Sequence, residues 1–317
     1  MAKSYFLIAL LLAFVAGSAL AQSFPARPVT LICPCGPNSM ANEHLRGFAA
    51  IASKYLGQLV IVENKPDDGK GTFSAVTMVR TAPPDGYMLA ELQMGLFRVP
   101  HMTRVTWDPL KDFTYVIGVA GFNFGVVVKS DSQFKTLKDL FDYAKANPGV
   151  LSYGTGAAGR SDSGHLNMVE LGLKTGARFL HVPGAGAAKA LADGHIMAIS
   201  SATGWAPYVD AGTFRLLVTF GERRSRWNAP TARELGLDIL SYAPFGIVGP
   251  KGMDPKVTKL LHDAFYRTLD DPEYDKLMSR LDLVDWYKSS EDYAEWAVDQ
   301  FKFQRKLIER TIGLGKN

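Results

Sequence analysis

The chain has 317 residues, 47% of them hydrophobic and 21% charged, with a formal net charge of +4. At roughly 100–200 residues per domain that is material for two cores. The small, interspersed basic excess argues against a nucleic-acid partner and for an anionic small molecule.

The chain opens with Lys3, an apolar run from Tyr5 to Val15, then Gly17-Ser18 and Ala19-Leu20-Ala21. This is the pattern of a cleavable secretory leader over residues 1–21, its core too short for the ~20 residues a membrane span needs. The mature chain is expected to begin at Gln22, without a following cysteine to take a lipid, and to work outside the cytoplasm. Val29–Ile32 reads as a strand, followed by a Pro/Gly/Asn loop and an amphipathic helix carrying Leu45, Phe48, Ile51 and Tyr55. Leu59–Val62 is a second strand, Glu63–Gly71 a polar loop, and Phe73–Thr81 a helix stopped by Ala82-Pro83-Pro84-Asp85-Gly86. A long apolar stretch runs from Val116 to Val128, and Thr136 with Asp139 forms a capping box opening a helix with Leu137, Leu140 and Phe141. Val150–Tyr153 and Ala177–Val182 are further strands. Asp254-Pro255 opens an amphipathic helix through Leu269, and Ser289 or Ser290 caps a terminal helix carrying Tyr293, Ala297, Phe301, Ile308 and Ile312. Strands alternating with helices predict an α/β fold with mainly parallel sheets flanked by helices. No flexible linker separates the halves, so the chain is expected to cross between them within strands, near Gly125–Val128 and Pro244–Val248.

The richest motif is Tyr153-Gly154-Thr155-Gly156-Ala157-Ala158-Gly159-Arg160-Ser161-Asp162-Ser163-Gly164-His165, between a strand and a helix. Glycines expose backbone N–H groups, and a helix N-terminus favours negative charge, so the run reads as an anion cradle with Ser161 and Ser163 suited to capping. Gly154–Gly159 matches GxGxxG, but the following strand offers no carboxylate for a ribose hydroxyl, which argues against a dinucleotide. Gly159-Arg160-Ser161-Asp162-Ser163 resembles a nucleophile elbow that lacks its last glycine and stands away from the strand end.

Cys33-Pro34-Cys35 reads by default as two buried small side chains, with a bridge across one residue an open alternative in an oxidising compartment. His165 is read as structural, and His44 as a helix residue near the first loop. Phe97, Phe122, Phe124 and Trp205 are aromatics for either the core or a cleft, with Trp205 the foremost cleft candidate.

Phe24-Pro25-Ala26-Arg27-Pro28-Val29, Val62-Glu63-Asn64-Lys65-Pro66, Ala82–Tyr87, Trp107-Asp108-Pro109-Leu110-Lys111-Asp112-Phe113, His181-Val182-Pro183 and Pro207–Gly212 with Arg215 occur in order along nearly the whole mature chain. In these elements the chain resembles the periplasmic receptors of tripartite tricarboxylate transporters, the Bug family. The resemblance implies a two-lobed Venus-flytrap fold, with lobe 1 over 22–124 and 247–317 and lobe 2 over 125–246. It further implies a monomeric periplasmic receptor, not an enzyme, that closes on a small carboxylate and hands it to a membrane permease without metal or cofactor. Ligand contacts are implied at Cys35, Gly36, Pro37, Asn38, Ser39 and Asn42 in the first loop, and at Gln93 and Met94. The second loop adds Thr155, Gly156, Ala158, Gly159, Arg160, Ser161 and Ser163, with Pro183, Gly184 and Trp205 beyond it.

The chain departs from the family pattern in its first loop, where Asn42 stands for an acid. A neutral amide cannot pair with a substrate ammonium, which disfavours an amino acid. Arg160 is a candidate bidentate carboxylate clamp, with an exposed loop arginine or a pair with Asp162 as the alternatives. Gly184-Ala185-Gly186 replaces the family's Tyr-Lys-Gly. An orphan receptor serving a membrane sensor is the alternative within binding proteins, and a secreted hydrolase using Ser161 or Ser163 the alternative outside them.

Overall fold

The computed structural model describes residues 24–66, 74–156, 161–184 and 186–311. The leader expected over residues 1–21 and the expected ligand residues Ala158, Gly159 and Arg160 lie outside them. Among the described residues, ten strands join through one long shared strand.

In the first half, β1 (Val29–Cys33) pairs in parallel with β2 (Val60–Asn64) and β3 (Met88–Leu92). The other edge of β3 meets β9 (Tyr242–Pro250), which runs antiparallel and in turn pairs with β4 (Phe113–Lys129). In the second half, β5 (Ser152–Thr155), β6 (Leu180–His181) and β7 (Ala198–Ala202) form a parallel set. The carboxyl end of β4 pairs antiparallel with β7 and with β8 (Phe214–Thr219), while β10 (Leu283–Lys288) returns along its first part. Two parallel sets are therefore welded by antiparallel strands, an architecture more mixed than alternation alone predicts.

The 17-residue β4 changes partners at Asn123–Phe124: residues 113–123 pair with β9, and 124–127 with β7. Its burial is almost continuous because both faces are covered, so the strand reads as an unbroken apolar run rather than an alternating one. β9 pairs with β4 from Tyr242 to Pro250 and so spans the other expected crossing, Pro244–Val248.

Helices cover both faces. α1 (Met40–Leu56) buries Leu45, Phe48 and Ile51 and ends at Gly57, whose φ of 73° suits a residue without a side chain. α2 (Ser74–Thr81) and α3 (Gly95–Arg98) flank β3, and α4 (Leu137–Ala146) opens with the capping box of Thr136 and Asp139. α5 (Ser163–Thr175) is capped by Asp162, which accepts from the His165 N–H at 3.2 Å. Neither serine caps it, because Ser163 is already inside the first turn. α6 (Ala187–Ala192) and α7 (Ala206–Asp210) complete the second half. α8 (Pro255–Leu269), capped by Asp254, packs with α9 (Pro272–Leu281) beside α1, where His44, Phe48, Phe265 and Tyr274 form an aromatic cluster.

On β9, Phe245 meets His44 while a Cβ at Gly246 would run into Tyr293 of α10 (Ser290–Thr311). Alternate residues of a strand face opposite ways, so α1 and α10 lie on opposite faces of the first sheet. α10 also reaches the second half, where its Leu307 and Ile308 pack on Leu166 of α5 and Arg310 pairs with Glu170. None of the described helices is long and apolar enough to cross a membrane.

The start of α5 is pressed against β7: a Cβ on Gly164 would lie 1.9 Å from the Ser200 carbonyl oxygen. Gly164→Ala is expected to cost roughly 2–3 kcal/mol in urea unfolding, since backbone must move. Gly156→Ala, whose new methyl meets Ser201 at an ordinary 3.6 Å, is expected to stay within about 0.5 kcal/mol of wild type.

Candidate functional site

Loops leave the carboxyl ends of β1, β3, β5 and β7 and converge between the halves, the position where open α/β sheets take ligands. Contacts between the loops fix their neighbours. The Thr203 hydroxyl, in the turn after β7, donates to the Leu281 carbonyl at 2.7 Å and lies 2.8 Å from the sulfur of Met40 at the start of α1. Gly156 lies beside Ser201, and Arg98 of α3 reaches the loop between β5 and α5.

The first loop is held from within. A disulfide joins Cys33 and Cys35, so the default reading as separate small side chains is corrected: the two ends of a single-residue span have their side chains together. Ser39 donates to the Gly36 carbonyl at 2.8 Å and accepts from the Asn42 N–H as the cap of α1. Asn42 is 7% exposed; its amide donates to the Pro37 carbonyl at 2.6 Å, and its oxygen accepts from Arg46 and Asn64 at 2.9 Å each. Asn64 also donates to the Cys35 carbonyl. Asn42 is thus a strut of the loop, while Pro37 and Asn38 face solvent.

In the second loop Thr155 is buried beside His181, with 3.3 Å between its hydroxyl and Nε2, and Gly156 is exposed. The Ser161 carbonyl and the Ser163 hydroxyl both accept from Nη1 of Arg98, at 2.9 and 2.7 Å. His165 Nδ1 meets the Tyr153 hydroxyl at 2.8 Å, and its ring lies 4.3 Å from that of His181, which keeps both histidines within the framework under the loop. Burial lowers the pKa of His181. Ser163 is held by Arg98 and His165 by Tyr153, an arrangement unlike a nucleophile and its base.

Two further charges belong to the site's foundation. Arg98 is 5% exposed, and burial pushes it down to about 10, opposed by Asp162 and Glu170. Glu91 on β3 is 1% exposed; burial pushes it up to about 7, partly opposed by the 2.7 Å hydrogen bond that Gln93 donates to it. His44 is held near about 3 by burial and shares a 3.0 Å hydrogen bond with Tyr274. The remaining expected residues separate: Met94 is buried, and Pro183 and Gly184 are exposed beyond β6. Trp205 is 2% exposed, its indole N–H on the Ser201 carbonyl and its ring against Trp227, so it packs the second core rather than offering a face to a cleft. Phe97, Phe122 and Phe124 are likewise buried. Sequence reasoning missed Arg98 and Glu91, although a lone charge inside Leu96-Phe97-Arg98-Val99 or Leu89-Ala90-Glu91-Leu92 is the available signal of a buried polar group. Among the described residues, no group of three or more His, Cys, Asp or Glu side chains could hold a metal ion.

Two halves meeting over a set of strand-end loops is the architecture of a periplasmic binding protein. The fold matches a solved periplasmic transporter with a TM-score of 0.84 and 25% identity, covering 92% of this chain and 99% of that one. It also matches MatC from Rhodopseudomonas palustris with bound malate, at a TM-score of 0.79 and 24% identity over 90% of this chain and 100% of that one, a likeness of fold. The family model for the tripartite tricarboxylate transporter family receptor matches residues 45–314. The "UPF0065 protein in gbd 5′ region" of Cupriavidus necator is 42% identical over 313 residues, 97% of this chain and 94% of that protein. The chain belongs to the tripartite tricarboxylate transporter receptor family, the Bug receptors, which are two-lobed periplasmic solute-binding proteins and not enzymes.

Glu91 gives the site a pH signature. Its folded pKa lies above the ordinary carboxylate value, so the folded state holds a proton that the unfolded chain has lost, and its contribution to stability falls as pH rises from about 4.5 to about 7. Glu91→Gln is expected to gain on wild type across that window, by roughly 3 kcal/mol at its upper end. Urea unfolding of both proteins at a series of pH values checks the sign; a difference that does not change with pH contradicts it.

Proposed function

We propose that this protein captures a small organic carboxylate lacking an ammonium group, a mono- or dicarboxylate of aliphatic or aromatic type, and delivers it to a tripartite tricarboxylate-type permease. In this reading a leader over residues 1–21 takes the chain to the periplasm, where it acts as a monomer. Residues 22–124 with 247–317 form one closing lobe and 125–246 the other.

The observation that carries the reading is the pair of helix N-termini, of α1 and α5, that the halves bring to one set of loops. First-turn N–H groups that lack intrahelical partners are natural donors to an anion. Gly36, Ser39, Thr155 and Gly156 would offer backbone and hydroxyl groups to the ligand. A few charge-assisted hydrogen bonds at about 1.5–3 kcal/mol each match the roughly 8 kcal/mol of a micromolar complex. Asn42 supports the exclusion of amino acids, being neutral and already engaged with Pro37, Arg46 and Asn64. The family description and the malate held by the fold neighbour MatC support the carboxylate class.

Thermal-shift screening followed by calorimetry tests this. Malate, adipate or an aromatic acid is expected to raise Tm, with up to about 2.7 kcal/mol of stabilisation at a hundredfold excess over Kd. Preferential binding of amino acids, or no response to any carboxylate, contradicts the reading. Gly156→Leu is expected to weaken the bound acid at least tenfold at nearly unchanged Tm, because Gly156 is exposed and a larger side chain there would fill the space beside Ser201; equal affinity would exclude Gly156 from the ligand contact.

A further inference from the structure

Arg98 is the one buried guanidinium that ties loops of the two halves together among the described residues, and no ligand role was expected of it. Its Nε donates to Gln304 of α10 at 2.8 Å, and Gln304 itself donates to Gln300 at 3.2 Å. From that seat in the first half, Nη1 donates to the Ser161 carbonyl and the Ser163 hydroxyl in the second. Both acceptors flank Asp162, the cap that fixes where α5 begins. Asp162 and Glu170 also interact electrostatically with the guanidinium.

Two physical consequences follow. The loop that enters α5 receives its position from the opposite half, so the direction of its N–H groups depends on a hydrogen-bonded fork that lysine cannot reproduce. The second consequence concerns charge. A carboxylate cap at a helix N-terminus repels an incoming anion, and the buried guanidinium beside Asp162 offsets that repulsion where solvent screens little.

We propose that Arg98 is the positioning residue of the anion-binding loop, holding Ser161 and Ser163 from the first half and offsetting the charge of Asp162. The ligand arm rests on the carboxylate reading above, whereas the positional arm needs no ligand.

Hydrogen exchange of the ligand-free full-length mature protein tests the positional arm. Arg98→Ala and Ser163→Ala are each expected to speed exchange over residues 161–166 at least tenfold, with the α8 and β9 amides unchanged. Arg98→Ala that exchanges like wild type at 161–166, or that exchanges faster evenly along the chain, overturns the proposal.

Calorimetry and stopped-flow binding with malate test the electrostatic arm. Arg98→Ala is expected to raise Kd at least tenfold, mainly through faster dissociation, with Arg98→Lys intermediate. Asp162→Asn in the Arg98→Ala background is expected to recover at least threefold of the loss, since asparagine still caps but carries no charge. No recovery overturns the charge role. Should wild type bind no carboxylate while Arg98→Ala still frees residues 161–166, the ligand reading fails and the positional role stands.

Discussion

The two halves share a strand, and the rest of the molecule is arranged around that constraint. β4 gives its first eleven residues to β9 and its next four to β7, so one backbone ladder continues from one sheet into the other. Because its hydrogen bonds are claimed on both sides of Asn123–Phe124, the halves cannot separate as independent bodies. Any relative movement must pass through this change of partners in a buried strand. Burial on both faces is what allows this: a strand covered by helices above and below carries no polar face to betray its direction.

From that shared strand the site follows. β1 and β3 end on one side, β5 and β7 on the other, and each end feeds a loop into a helix or turn. Backbone N–H groups at such ends are electropositive wherever they lack intrahelical partners. The first loop is stiffened by its disulfide and by the amide network of Asn42 and Asn64; the second borrows its support from Arg98 across the gap. Stiffness in the unliganded state lowers the ordering cost that a small anion must otherwise meet. α10 adds a second tie, since Leu307 and Ile308 pack on Leu166 while Tyr293 lies in the first core.

Much of the fold was legible in the sequence because it is written locally. The Thr136–Asp139 capping box, Asp254-Pro255 ahead of α8 and Ser289 ahead of α10 are short-range signals that tertiary packing reinforced. The strand-end loops were legible for the same reason, glycine and small polar residues standing between an apolar run and a helical period. What escaped was set by distant partners. Ser161 and Ser163 flank the true cap, and Ser163, already inside the first turn, gives its hydroxyl to Arg98 from α3 as an acceptor. Trp205 has the composition of a cleft aromatic, yet the second core needs its volume against Trp227 and Phe214. Arg98 and Glu91 look like interruptions of apolar segments until the structure supplies Gln304, Ser161 and Gln93 as their partners.

In the proposed mode of binding, loops from both halves grip one carboxylate through backbone donors at the starts of α1 and α5. A crystal structure of the protein grown with malate or adipate at neutral pH tests it most directly. Carboxylate oxygens are expected about 2.7–3.1 Å from N–H groups or hydroxyls contributed by Gly36–Ser39 on one side and by the loop that follows Thr155 on the other. An acid bound to one half alone, or seated away from both loops, would contradict it.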